Sequence, residues 1–187
     1  MPAASQGPAP QGHHSRTSPE RSPHGDRLCR LPMILYHGTS ADFKSVKLSR
    51  CRTGTYFGKG FYLTTSLKQA ERRAQLKSEL TGSAPRVIAY QFDESLLSES
   101  RLKVLRFEMI SAQWVQFVYR NREDPAFRHD YDLVIGPVAN DDLRLQFKRV
   151  RERQIDISEL AEQIGDRTSD IQYCFCTKAA IKYLKRL

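Results

Sequence analysis

The chain is 187 residues long, with 40% hydrophobic and 27% charged residues, values of an ordinary folded domain that exclude a fibrous repeat and a wholly disordered chain. That length gives room for one domain with a real core and none for a second of ordinary size. The formal net charge of +9 favours contact with phosphates, nucleic acid or acidic surfaces.

Residues 1–31 are rich in Pro, Ser, Gly, His and Arg and hold almost no apolar side chain that could join a core, so residues 1–32 are expected to form a disordered tail. Four arginines against Glu20 and Asp26 place only two of the nine net positive charges there, so the basic excess belongs to the rest of the chain. The ordered signal begins abruptly at Met33, and one domain is expected over residues 33–187. Met33 is itself a natural first residue, and translation starting there would leave residues 1–32 out of the native protein; tail peptides found by mass spectrometry would refute that hypothesis. No apolar run is long enough to cross a bilayer, and no apolar segment of a secretory signal follows the N-terminus. A cytoplasmic protein is expected, or an effector delivered without such a signal. The four cysteines, Cys29, Cys51, Cys174 and Cys176, have neither metal-type spacing nor a dense disulfide pattern, which points to a reducing compartment and to no metal.

From Met33 onward, short β-branched or aromatic runs bounded by turn residues read as strands at 34–36, 60–64, 87–92, 102–107, 131–135 and 172–176. Helices fall between them. Ser66 and Gln69 form a capping-box pattern opening a helix to about Leu80. Ile110, Trp114, Phe117 and Val118 fall on one helical stripe, and Ala180, Ile181, Leu184 and Leu187 on another. Strands mixed with helices, without regular βαβ alternation or a GxGxxG after the first strand, predict an α+β fold rather than a doubly wound parallel sheet.

Four segments hold residues suited to chemistry. In LYHGTS, His37 is expected to follow a strand directly, with Gly38, Thr39 and Ser40 at the mouth of a turn. Such a glycine lets a ligand approach the peptide group, whose N–H and C=O can read an amide. Taken alone, the pattern fits a satisfied turn histidine better than a ligand. In GKGFYLT, Gly58 and Gly60 open a strand presenting Tyr62, which is either a site residue or a half-buried strand tyrosine. Residues 131–142 give a buried-strand core and then a polar turn, in which Asn140 and Asp141 either line a cleft or cap the following helix. Gln172 opens the last strand, with Asp170 two residues earlier as an alternative.

Together, LYHGTS, GKGFYLTTSLKQA and the terminal Gln172 strand resemble the ADP-ribosyltransferase superfamily, in its diphtheria-toxin-like and poly(ADP-ribose) polymerase-like branch with its H-Y-E triad. The resemblance is closer still to an uncharacterised bacterial domain family of that superfamily, and it spans residues 33–187. It implies split antiparallel sheets with flanking helices and NAD as substrate. On it, His37 would bond the adenosine-side ribose, Gly38 would clasp the nicotinamide carboxamide, and Thr39 or Ser40 would add a hydroxyl. Gly60 would belong to the same NAD-binding segment as Tyr62, which would pack on the nicotinamide ring. Gln172 would hold the 2′-hydroxyl of the nicotinamide ribose. Arg73 stands eleven residues after Tyr62, where the polymerases place a second stacking tyrosine; it suits a pyrophosphate or is simply a solvated helix residue.

The third triad member is therefore Gln172, giving H-Y-Q. The implied activity is mono-ADP-ribosyl transfer from NAD to a protein or nucleic-acid acceptor, with release of nicotinamide. The alternatives are a non-catalytic NAD or ADP-ribose binding module, a toxin-antitoxin component with a small antitoxin-like partner, or an RNA-modifying transferase of the same superfamily.

Overall fold

The structure, a computed structural model, describes residues 32–95, 97, 102–139, 143–165 and 170–187. Residues 1–31 of the expected tail, Asn140 and Asp141 lie outside the described residues. Seven strands, β1 (Met33–Thr39), β2 (Phe61–Thr64), β3 (Arg86–Phe92), β4 (Val104–Arg106), β5 (Leu133–Pro137), β6 (Ile171–Phe175) and β7 (Leu184–Arg186), make one sheet in the order β4-β5-β6-β2-β1-β3-β7. Neighbours are antiparallel except β4 and β5. Helices α1 (Leu67–Thr81), α2 (Ala112–Glu123), α3 (Leu143–Arg151), α4 (Ile157–Ile164) and α5 (Lys178–Ile181) accompany it, so the fold is α+β as expected.

Side chains alternate across a strand, and the two sheet faces build two cores. Leu35, Phe61, Leu63, Leu133, Ile135, Tyr173 and Phe175 pack on one face with Ile88, Tyr90 and Phe92. Val134 and Cys174 face the other way, beneath Trp114, Val115 and Val118 of α2, Leu143 and Phe147 of α3 and Leu160 of α4. Strands β5 and β6 are covered on both sides, which is why their sequences LVI and YCF are continuous apolar runs rather than alternating ones.

The sheet is least bonded between β1 and β2. All seven residues of β1 pair with β3, from Met33↔Phe92 to Thr39↔Arg86, and β2 pairs with β6 at four positions, yet β1 meets β2 only at Tyr36↔Thr64. The halves β4-β5-β6-β2 and β1-β3-β7 therefore share one paired position in the ladder, within a single seven-stranded sheet.

Several local expectations need correction. His37, Gly38 and Thr39 do not form a turn after a strand, because β3 supplies ladder partners for all three and β1 continues through Thr39. Asp170 precedes β6, and its carbonyl accepts the Val138 N–H at 3.1 Å. The C-terminal stripe is not one helix. After α5 the chain extends again, and β7 covers the outer edge of β3 through Phe92↔Leu184 and Tyr90↔Arg186; pairing an open strand edge outweighs a short helical periodicity. Helix α1 starts on Ser66, whose hydroxyl accepts the Gln69 N–H at 3.2 Å, but Gln69 Oε1 is buried without a partner among the described residues, so half of the predicted capping box is not made. Both halves form instead at α4, between Asp156 and Glu159.

Helix α1 crosses β1 closely. A Cβ built on Gly38 would lie 2.0 Å from the Ala70 carbonyl oxygen and 2.8 Å from the Ala74 nitrogen, both backbone atoms that cannot move without displacing the helix. Gly38→Ala is therefore expected to destabilise the protein by about 3 kcal/mol, read as a lowered urea midpoint at unchanged slope.

Candidate functional site

Just past Tyr36↔Thr64, the ladder between β1 and β2 gives way to a side chain. His37 Nδ1 lies 2.7 Å from the Tyr62 carbonyl oxygen. A carbonyl only accepts, so Nδ1 carries the hydrogen. The ring packs against Phe61, 4.5 Å between centroids, and edge-on to Phe43 at 5.9 Å. Burial first, and the nearby Lys77 ammonium second, hold the His37 pKa down to about 4, against the opposing pull of the Tyr62 hydrogen bond. At neutral pH the imidazole is uncharged, and Nε2 keeps a lone pair free to accept a hydroxyl proton.

Tyr62 projects to the opposite face. Its hydroxyl accepts the Phe57 N–H at 2.9 Å and shares its proton with the Gly58 carbonyl at 2.8 Å and the Thr55 hydroxyl at 2.9 Å, so it anchors the loop over residues 55–58. Burial pushes its pKa well above the usual phenol range. The Tyr62 ring stacks on Phe57 (6.4 Å, 18°), which stacks in turn on Phe107 (6.3 Å, 22°). Gly136 makes room for this row, since a Cβ there would meet Phe57 and Phe107 at 3.1 and 3.2 Å.

Gln172 stands beside that row. The register sets it between Thr64 of β2 and Gly136 of β5, diagonal to Tyr62 on the same face. It is 8% exposed, and among the described residues its amide has no hydrogen-bond partner. The buried polar side-chain atoms without a partner among the described residues are Gln69 Oε1 and Trp114 Nε1, so the Gln172 amide keeps access to solvent at the end of a mostly buried side chain, with donor and acceptor open to a ligand.

The other predicted positions have structural duties. The Gly38 carbonyl accepts the Lys77 ammonium at 2.7 Å, and the face of Gly38 that was expected to admit a ligand is covered by α1. Thr39 is buried and its hydroxyl accepts the Ala41 N–H at 3.1 Å, while Ser40 Oγ lies 2.9 Å from Thr81 Oγ1. Gly60 lets β2 approach β6, because a Cβ there would lie 2.4 Å from Cys174 Sγ. Arg73 is exposed on α1. His129 is tied between the Phe57 carbonyl at 2.9 Å and the Tyr131 N–H at 3.3 Å.

Thus the structure brings His37 to the Tyr62 main chain and Tyr62 and Gln172 to one face, with the His37 ring on the other side of the parting. Among the described residues, no group of three or more His, Cys, Asp or Glu is placed to hold a metal ion, and no helix is long and apolar enough to cross a membrane. A cavity of about 320 Å³ lies at the far end of β6, lined by Gly58, Lys59, His129, Tyr131 and Cys176, and includes none of His37, Tyr62 and Gln172.

A family model described as "Protein of unknown function (DUF3990)" matches residues 33–186. The chain belongs to the DUF3990 family. No curated protein and no solved structure matches it.

Lys77 is the site residue of this DUF3990 domain that sequence reasoning missed. Ala70, Ala74 and Lys77 lie on one helical face, and two small residues followed by a lysine are the trace of a helix pressed on β1 with an ammonium reaching its backbone. Burial first, then Arg73 and Arg52, lower the Lys77 pKa. Among the described residues none of Arg52, Arg73 and Lys77 has an acidic partner. The result is an unneutralised cationic cluster beside Gly38.

Two outcomes are expected here. Above about pH 6.5, His37 is neutral folded and unfolded and contributes no pH dependence. Below it the unfolded chain takes the proton while the folded chain refuses it down to about 4, so stability falls across that window, by at most roughly 3 kcal/mol. Denaturant titrations at several pH values should show this acid loss in the wild type and not in His37→Gln. Tyr62→Phe, which removes the anchor of residues 55–58, is expected to cost about 1–2 kcal/mol and to speed hydrogen exchange at the Phe57 amide.

Proposed function

We propose that this domain is a mono-ADP-ribosyltransferase that takes NAD at the parting of β1 and β2 and passes ADP-ribose to a protein or nucleic-acid acceptor, releasing nicotinamide. The observation that carries the proposal is the Gln172 amide, at the end of a mostly buried side chain, open and without a hydrogen-bond partner among the described residues, one diagonal step from Tyr62. His37 supports it with a neutral ring whose Nε2 suits a sugar hydroxyl. The cations Arg52, Arg73 and Lys77, which have no acidic partner among the described residues, suit a pyrophosphate.

In this reading the Gln172 amide orients the nicotinamide ribose through its 2′-hydroxyl, the Tyr62 ring supplies an apolar face, and the acceptor attacks as the glycosidic bond lengthens. The sugar then carries oxocarbenium character, which a carboxylate would stabilise and an amide does not. Lacking that charge costs several kcal/mol of barrier, at about 1.4 kcal/mol per tenfold in rate, so turnover is slow. The neutrality of Gln172 also favours a second reading, a module that binds NAD or ADP-ribose without transfer.

Purified full-length chain is mixed with tagged NAD and cell lysate, and labelling and nicotinamide release are followed beside calorimetry with NAD. The transferase reading expects measurable release that rises at least tenfold in Gln172→Glu, and binding lost in Tyr62→Ala. Tight binding with no release from either wild type or Gln172→Glu establishes the second reading, and no binding at all overturns both.

A further inference from the structure

Two thiols meet at the end of β6. Two residues of extended strand span roughly 6.6 Å, yet Cys174 Sγ and Cys176 Sγ are 3.5 Å apart. The strand ends at Phe175, the Cys176 N–H still bonds to the Asp132 carbonyl at 2.8 Å in the β5–β6 register, and the Cys176 thiol donates to the Cys174 carbonyl at 3.3 Å, which holds the second sulfur beside the first. Their settings differ. Cys174 is fully buried, packed under Gly60 with its sulfur 3.9 Å from the Phe57 carbonyl. Cys176 is half-buried and lines the cavity of about 320 Å³ that also holds Lys59, so small polar oxidants can reach it.

We propose that Cys174 and Cys176 form a redox-active dithiol that a hydroperoxide closes to an intramolecular disulfide. The Cys176 thiol gives up its proton and its sulfur attacks one peroxide oxygen; the O–O bond breaks, the leaving hydroxide (or alkoxide) takes up that proton and departs as water (or alcohol), and a sulfenic acid remains on Cys176. The Cys174 thiol then gives up its proton, its sulfur attacks the sulfenic sulfur, and the S–O bond breaks with loss of water. Two thiols are oxidised by two electrons and one peroxide is reduced. Closure needs the sulfurs to approach from 3.5 Å to about 2.05 Å, a movement within reach of side-chain rotation. Burial pushes the Cys174 thiol well above its ordinary range, so Cys176 meets the oxidant and Cys174 resolves it. Cys51 is the remaining described thiol and sits partly exposed on another segment.

Reduced full-length protein is treated with stoichiometric hydrogen peroxide, alkylated in denaturant and digested with trypsin, which leaves both cysteines in the peptide 168–178. That peptide is expected unalkylated and lighter by two hydrogens, and prior reduction with dithiothreitol returns it to the doubly alkylated form. Cys51→Ser should leave this unchanged. In Cys176→Ser, a smaller change than altering the fully buried Cys174, no hydrogens are lost and Cys174 stays alkylatable. A sulfinic acid on Cys176 with Cys174 still alkylated, or a disulfide from Cys51 to Cys176, overturns the proposal.

Discussion

The hydrogen bond from His37 Nδ1 to the Tyr62 carbonyl takes over where β1 and β2 stop pairing. A main-chain carbonyl left in a poorly solvated place without a donor costs as much as a lost hydrogen bond or more, so a sheet whose halves touch at Tyr36↔Thr64 alone must find another donor there. The imidazole provides it and thereby fixes its own tautomer. Because the bond consumes Nδ1 and burial keeps the ring neutral, the one remaining polar atom of His37 is an acceptor. A single contact thus closes the parting and determines what chemistry the histidine can offer.

Helix α1 acts on the other edge of the same place. Its small residues Ala70 and Ala74 permit contact with Gly38, and that contact brings Lys77 within reach of the Gly38 carbonyl. The glycine that reads as an opening for a ligand is first of all an opening for a helix. The ammonium near His37 then helps keep the imidazole uncharged, so helix packing, the charge of the site and the state of the histidine are coupled through one lysine.

Legibility in the sequence followed the range of the interactions involved. Periodicity and turn residues located the strands to within a few residues, and Ser66 and Gly82 mark the ends of α1 as local capping rules require. What pattern could not reveal was pairing at a distance. The length of β1 depends on β3, the conversion of a C-terminal helix into α5 and β7 depends on an open β3 edge, and neither neighbour is encoded nearby. The same holds for the site. His37, Tyr62 and Gln172 stand out in the sequence, but Lys77 and the Phe57–Phe107 stack acquire meaning only when register sets them beside Gly38 and Gly136.

The electrostatics of the site bears unequally on binding and on bond cleavage. A position 8% exposed between β2 and β5 accommodates an amide at far lower desolvation cost than a carboxylate, so the sheet that holds Gln172 in place also favours its neutrality. The nearby charges without an acidic partner among the described residues, Arg52, Arg73 and Lys77, are all positive. They attract an anionic ligand but oppose positive charge developing on a sugar, and no described acid is paired with them to reverse the sign. For a dinucleotide the phosphates themselves must supply the compensating negative charge. On the proposed reading, recognition of the ground state would come easily to this arrangement, and acceleration of cleavage would rest on how tightly Gln172 orients the nicotinamide ribose rather than on charge stabilisation.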